Sequence, residues 1–531
     1  MTKITAALVF CLFFALAPWQ AAAVDDGGSL VMGTIGDATS MIPMITSDSA
    51  SHEMSGLVYN GLLKYDKDLN LVGDLAQSWT VSPDGLTITF KLRQGVRWQD
   101  GKPYTAKDAL FNWQFMVDPK TPTAYSGDYM KVTKAEALDD HTFRVRYDEP
   151  FAPGLASWTL SQMPRHLLEG KDVRASELNR HPMGTGPYEF VRWDPGARVV
   201  LRYFKDYFMG RAHISQVTYR VIPDMATMFL ELKSGGLDWM GLTSLQYRRQ
   251  TETAFFKKNF VKYRYLSSSY SYLGYNLKDP RFADKRVRQG LSYAINKQEI
   301  IKGVLLGLGR VCTGPIKPGT YWYNPKVLHF PYDPAKAKEL LAQAGWKDRD
   351  GDGVLDKDGQ PFEFTILTNQ GNSYRANTGV IIQQRLAQIG VRVKLRTVEW
   401  AAFIKEFINK GRFEAVLLGW TMSPDPDQFD IWHSSKAKPG QLNFTYYKNP
   451  EVDRILTEQR RIFDREKRRA LIFKLQEILA EDQPYTFLYV ADALPILAAR
   501  IKGITPAPAG ISYNFTDWWV PGALQHPALT R

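Results

Sequence analysis

Residues 361–420 constrain the fold more tightly than any other stretch. Positions 362–367 read as a strand, 375–388 as an apolar-periodic helix closed by Gly390, and 391–398 as a second strand. A helix over 401–409, stopped by Gly411, and a third strand over 413–418 complete a β-α-β-α-β run. Strands joined through helices must be parallel, with right-handed crossovers. All three then end on one edge, which gathers Thr368, Asn369, Gln370, Glu399, Gly419 and Trp420. Open α/β sheets bind ligands at that edge, so local physics already points to a cleft beside Trp420.

Punctuation elsewhere supports an α/β protein. Asp333 and Pro334 supply the N-cap and first turn of a helix over 335–344 that Gly345 closes, and Asn296 with Glu299 caps another. Strands are expected at 31–34, 197–203 and 217–221, with a helix over 227–234. Residues 86–92 alternate apolar and polar after the turn Pro83-Asp84-Gly85. Thr105 and Asp108 form a capping box for a helix carrying Ala109, Leu110, Trp113 and Met116.

A length of 531 residues implies two or more packed units. Lys3, an apolar run over 6–17 and Ala21-Ala22-Ala23 read as a cleavable signal peptide spanning 1–23, because the apolar core is too short to cross a bilayer. Cys11 lacks the small preceding residues of a lipobox, so the expectation is a soluble periplasmic protein beginning at Val24, not a lipoprotein. Cys312 is then the sole remaining thiol and reads as a buried small hydrophobe. The net charge of +12 is dispersed, and its densest cluster, 460–469, is interleaved with acids on one helix. That pattern reads as a solvated helix face and argues against a nucleic-acid partner.

Catalytic signatures are missing. No H-E-x-x-H, G-x-S-x-G, C-x-x-C or dinucleotide fingerprint occurs, and the eight His residues are scattered. The expectation is therefore a protein that is not an enzyme and requires no cofactor. One segment resembles a metal loop: Asp348, Asp350, Asp352, Gly353 and Asp356 occupy positions 1, 3, 5, 6 and 9 of a calcium loop. Position 12 is Gly359, where the bidentate Glu belongs, so a candidate structural calcium site stands beside a self-bonded polar turn as the alternative. Aromatic residues crowd the suspected cleft: Tyr270, Tyr272, Tyr275 and Trp420, with Tyr125 or Tyr129 from an earlier segment. Core packing is the competing reading for each of them.

The wording of residues 73–116, L-A-x-S-W through S-x-D-G-x-T-x-T-F-x-L-R-x-G-V-x-W-x-D-G-x-P-x-T-A-x-D, resembles the signature of family 5 extracellular solute-binding proteins. Gly184-Thr185-Gly186-Pro187-Tyr188, the run from Asn276 to Asn296 and the pair Gly419-Trp420 continue the resemblance in order. It implies a two-lobe periplasmic-binding-protein fold (type II, the large class with an extra subdomain) whose hinged lobes close on ligand. The implied boundaries are 24–58, 185–275 and 486–531 for lobe I, 59–184 for its inserted subdomain and 276–485 for lobe II.

The implied function is capture of di- or oligopeptides for an ABC permease and ATPase complex in the inner membrane, by a monomer. Rival readings are a non-peptide solute (an oligosaccharide, an opine-like compound or a metal chelate), a secreted hydrolase and a chaperone-like binder of unfolded segments. Candidate ligand contacts are Tyr272, Trp420, Gly419, Asn369, Tyr270 and Tyr125. Dipeptide binders of the family carry an Asp shortly after Gly-Trp for the peptide ammonium, whereas this chain continues Thr421-Met422-Ser423. Asp425 and Asp427, on a segment stiffened by Pro424 and Pro426, are the substitutes expected at the cleft edge.

Overall fold

A computed structural model of the chain describes residues 24–525. The signal segment expected at 1–23 lies outside them. Among the described residues the strands form two seven-stranded sheets, a four-stranded sheet and two small hairpins.

The 361–420 run folds as its periodicity demands. Glu363–Asn369, Arg392–Val398 and Ala415–Thr421 are parallel, with Glu363–Asn369 in the middle. The helix Ser373–Ala387 makes the first crossover, capped by Asn372, whose side chain accepts from the Arg375 amide. The second crossover begins as the short helix Trp400–Ala402 and widens into a π-turn segment, Phe403–Ile408, where the Asn409 amide bonds the Ile404 carbonyl. Both faces of this sheet are covered. Phe364, Ile366, Ala415 and Leu417 pack on one side, and Leu367, Val416, Leu418 and Tyr270 on the other. That double burial is why the strands read as nearly continuous apolar runs.

The sheet continues beyond the parallel trio in antiparallel fashion. Ser269–Tyr275 pairs with Ala415–Thr421 on one side and with Tyr485–Ala493 on the other. The lobe boundaries expected at 275/276 and 485/486 are therefore corrected: both strands are hydrogen-bonded members of the second lobe's sheet. The chain crosses between Lys262 and Tyr265 on the way in and around Ala493–Pro495 on the way out. A strand's partner is decided by tertiary pairing, which an apolar run alone does not specify.

In the first lobe Ser29–Thr34 lies parallel to Gln216–Val221 and to Trp239–Gly241, while Arg198–Tyr203, Tyr188–Asp194, Pro495–Ala498 and Phe260–Lys262 extend the sheet antiparallel. The four strands Ala76–Val81, Thr87–Leu92, Thr142–Tyr147 and Val132–Asp139 form the inserted sheet. Its buried Phe90, Phe143 and Trp158 belong to one continuous core with Leu30, Val217 and Trp518 of the first lobe. The insert is therefore continuous with that lobe's core. Among the described residues no helix is long and apolar enough to cross a membrane.

Candidate ligand cavity

A cavity of about 790 Å³ lies between the lobes, inside the range of roughly 300–1,000 Å³ usual for small-ligand sites. The first lobe contributes Asp48 and His52, the insert Tyr125, Asp128 and Ser157, and the second lobe the C-terminal edge of its parallel strands. The lobes touch around its rim. Trp400 Nε1 donates to Asp48 Oδ1 at 3.2 Å, Gln441 Nε2 to the Thr123 carbonyl at 3.2 Å, and the Ser244 and Tyr374 hydroxyls lie 2.9 Å apart. Gly371 sits in the left-handed region (φ 84°), and a Cβ there would stand 2.9 Å from the Pro223 backbone across the interface. Only glycine permits that approach.

Two charged features dominate the walls. Arg375, in the first turn of the helix Ser373–Ala387, reaches back over the strand edge, and its Nη1 donates to Asn369 Oδ1 at 2.6 Å. Among the described residues it has no carboxylate partner, and burial pulls its pKa down. The opposite kind of wall is built where the insert meets the second lobe. Arg460, 3% exposed, holds Asp128 at 2.9 Å and Asp427 at 2.5 Å, while Lys436 holds Asp430 at 2.8 Å. Three carboxylates thus share two cations. Burial pushes the Asp128 carboxyl up to about 6, with Asp430 and Asp427 adding to the rise and Arg460 opposing it. Two buried polar atoms on the cavity wall, the Tyr270 hydroxyl and Gln428 Oε1, have no hydrogen-bond partner among the described residues.

The arrangement can receive a molecule with an anionic end and a cationic end and satisfy polar groups between them.

The sequence profile of the bacterial extracellular solute-binding proteins, family 5, matches residues 70–441. The chain belongs to this family. It is 35% identical over 506 residues to the oligopeptide-binding protein AppA of Bacillus subtilis, covering 93% of this chain and 92% of the relative. The structure of that AppA in complex with a nonapeptide superposes with a TM-score of 0.90 at 33% identity, covering 94% of this chain and all of the other. NikZ from Campylobacter jejuni, in complex with Ni(L-His), gives 0.83 at 27% identity over 92% of this chain and 99% of its own. DppA from Helicobacter pylori, in complex with the peptide STSA, gives 0.83 at 29% identity over 93% and 98%. The fold is thus the family's two-lobe periplasmic-binding architecture.

The residues singled out from sequence fall in different places. Trp420, Gly419, Tyr270 and Tyr125 line the cavity. Trp420 also reaches inward, its Nε1 donating to the Tyr485 hydroxyl at 3.2 Å. Tyr272 is corrected to the core: it is fully buried and stacks on Tyr485 with ring centroids 3.9 Å apart. Asn369 stands behind the wall, buried, orienting Arg375. Asp425 and Asp427 do sit on the wall, but neither is free. Arg468 grips Asp425 through two bonds of 2.8 and 3.0 Å, and Arg460 grips Asp427. The expectation of an ammonium anchor there is corrected, since buried arginines already neutralise both carboxylates.

In the Asp-rich loop, Asp348, Asp350 and Asp352 bring ligand atoms within 4.8 Å of one another. Asp356 departs from that set, because Arg349 binds it through both backbone and side chain. Cys312 is fully buried, with its Sγ donating to the Gly314 carbonyl at 3.0 Å. Sequence reasoning missed Arg375, Asp128, Asp430 and Arg460. For Arg375 a signal was present: a basic residue in the first turn of a helix that follows a parallel strand falls at the sheet's ligand edge.

Proposed function

We propose that the protein is the periplasmic, monomeric solute-capturing component of a bacterial ABC importer and that its solute is a short peptide, delivered to an inner-membrane permease and ATPase complex. The cavity's two charged poles carry the reading. A peptide's terminal carboxylate pairs with Arg375, whose charge is otherwise desolvated without an anion. Its ammonium is drawn to the wall where Asp128 and Asp430 stand, since Arg460 is already engaged by Asp427 and only Lys436 and a shared Arg460 offset them. Between the ends, backbone and hydroxyl groups of Gly419, Thr421 and Ser423 on the wall can meet main-chain groups, which reads a peptide without reading its side chains. The peptide-bound relatives AppA and DppA support this choice of solute.

The mechanism is capture without turnover: solute binds one lobe, the other closes over it and excludes water. His52, the one histidine lining the cavity among the described residues, spends Nε2 on the Thr46 carbonyl and the Tyr125 hydroxyl and forms no pair with a serine or cysteine nucleophile.

Mass spectrometry of material released from freshly purified protein tests the reading. Peptides with free termini, at one per protein, are expected. An oligosaccharide, an opine-like compound or a metal chelate in their place overturns the choice of solute, and multiple-turnover cleavage of a bound peptide overturns the binding mechanism itself.

A further inference from the structure

The second lobe contains another cavity, about 410 Å³, away from the cleft. Its walls are largely apolar, with Val311, Leu328, Phe330 and Phe487 among them. Lys297 opens onto it and is 9% exposed. Among the described residues its ammonium has no carboxylate and no hydrogen-bond partner, and the Phe330 ring centroid lies 5.9 Å away. Burial lowers its pKa to about 8, with the Cys312 thiol opposing the fall, so the amine is still mostly protonated at neutral pH; His329, Tyr323 and Tyr332 are the other titratable side chains on the cavity wall. The nitrogen still meets the cavity, but an ammonium largely enclosed by apolar walls without a counter-charge is costly, and lysines so placed ordinarily pair or face a ligand. A norleucine-like side chain such as Met would fill the same space without that penalty.

The chemistry of the walls selects the ligand class. One cation matches one negative charge, and an apolar, aromatic enclosure matches an apolar body. We propose that this cavity is a second binding site, for a small organic monocarboxylate with an aromatic or branched apolar body whose carboxylate pairs with Lys297. The site is separate from the solute cleft yet close to it in packing: Phe487, on its wall, contacts Tyr270, on the wall of the cleft, with ring centroids 5.7 Å apart.

Calorimetric titration of the purified full-length protein with indole-3-acetate and 4-hydroxyphenylacetate, against tryptamine as the amine of matching shape, tests the proposal. One-to-one binding of a carboxylate and none of tryptamine is expected. Lys297→Met should weaken it at least tenfold while Arg375→Met leaves it unchanged. At pH 8 the wild-type protein should take up protons on binding, because a paired carboxylate raises the pKa of the lysine; titrations in two buffers of different ionisation enthalpy read this without any variant. Three results overturn the proposal: no saturable binding of either acid, equal affinity in Lys297→Met, or zero proton uptake. Loss in Arg375→Met with retention in Lys297→Met would place the probe in the main cleft and equally overturn it, while saying nothing against the peptide reading.

Discussion

Arg375→Met separates what the half-buried guanidinium costs the protein from what it gives the ligand. In the ligand-free protein the change removes one charged hydrogen bond, to Asn369 Oδ1 at 2.6 Å, a contribution of about 1.5–3 kcal/mol. It also removes a half-buried cation without a carboxylate partner, whose partial desolvation opposes folding. The two effects oppose each other, so the variant should stay within about 2 kcal/mol of the wild type in stability. Binding should move the other way. A peptide carboxylate left buried without its partner loses about 3–5 kcal/mol, or roughly two to four decades of affinity at ~1.4 kcal/mol per decade. Calorimetry with a bound peptide and its C-terminal amide closes a double-mutant cycle. The amide should lose affinity against the wild type and show no further loss against Arg375→Met. Equal affinity of acid and amide for the wild-type protein would refute the anchor, and a large drop in stability of the ligand-free variant would refute the reading of Arg375 as an uncompensated charge.

Other outcomes are expected at named positions. Trp420→Ala should weaken peptide binding by about 1–3 kcal/mol with cooperative unfolding retained, checked by calorimetry and thermal melting; loss of the folded state would assign the residue wholly to the core through its bond to Tyr485. Peptide affinity should fall as pH drops through about 6, where Asp128 protonates, while the peptide ammonium stays charged. An N-acetylated peptide or Asp128→Asn should flatten that profile. The same raised pKa has a stability sign: folding penalises the charged carboxylate, fully above about 6 and not at all below its ordinary 3.8, so ligand-free wild type should gain on Asp128→Asn as pH falls between those values. Calcium should bind the 348–356 loop no tighter than about 10⁻⁴ M, because Arg349 holds Asp356 and Gly359 replaces the bidentate Glu; a micromolar dissociation constant by titration would contradict this.

The parallel trio of the second lobe was legible because strands covered on both faces and separated by well-capped helices leave few alternatives. The cleft's location followed from the same pattern, and with it Trp420 and Gly419. What the pattern leaves open is which residue of a face ends up under another ring. Tyr270 and Tyr272 share one face of the strand Ser269–Tyr275, yet one borders the cavity and the other lies beneath Tyr485, which arrives from more than 200 positions further along the chain. Charge pairing was hidden for the same reason. Asp425 and Asp427 looked available on their Pro-stiffened segment until the helices Pro450–Gln459 and Arg465–Asp482 brought Arg468 and, just past the first, Arg460 against them. The acidic pole is a tertiary object: Asp128 comes from the insert and Asp430 from the second lobe, and no spacing in the chain joins them.

The two inter-lobe crossings lie side by side. Phe260–Lys262 pairs with Pro495–Ala498, Tyr265–Leu266 pairs with residues 492–493, and between them the Tyr263 amide bonds the Pro495 carbonyl at 2.9 Å. The whole second lobe is thus a guest sequence whose ends share one address in its host, the geometry in which domain insertions are tolerated. A short turn from 263 to 495 would close the host without it. Arg375 travels with the guest and Asp128 stays with the host, so the two ends of the ligand are read by pieces that could be inherited separately. Exchanging guests among relatives would recombine one pole with a foreign other, a route to new solutes that leaves both cores untouched.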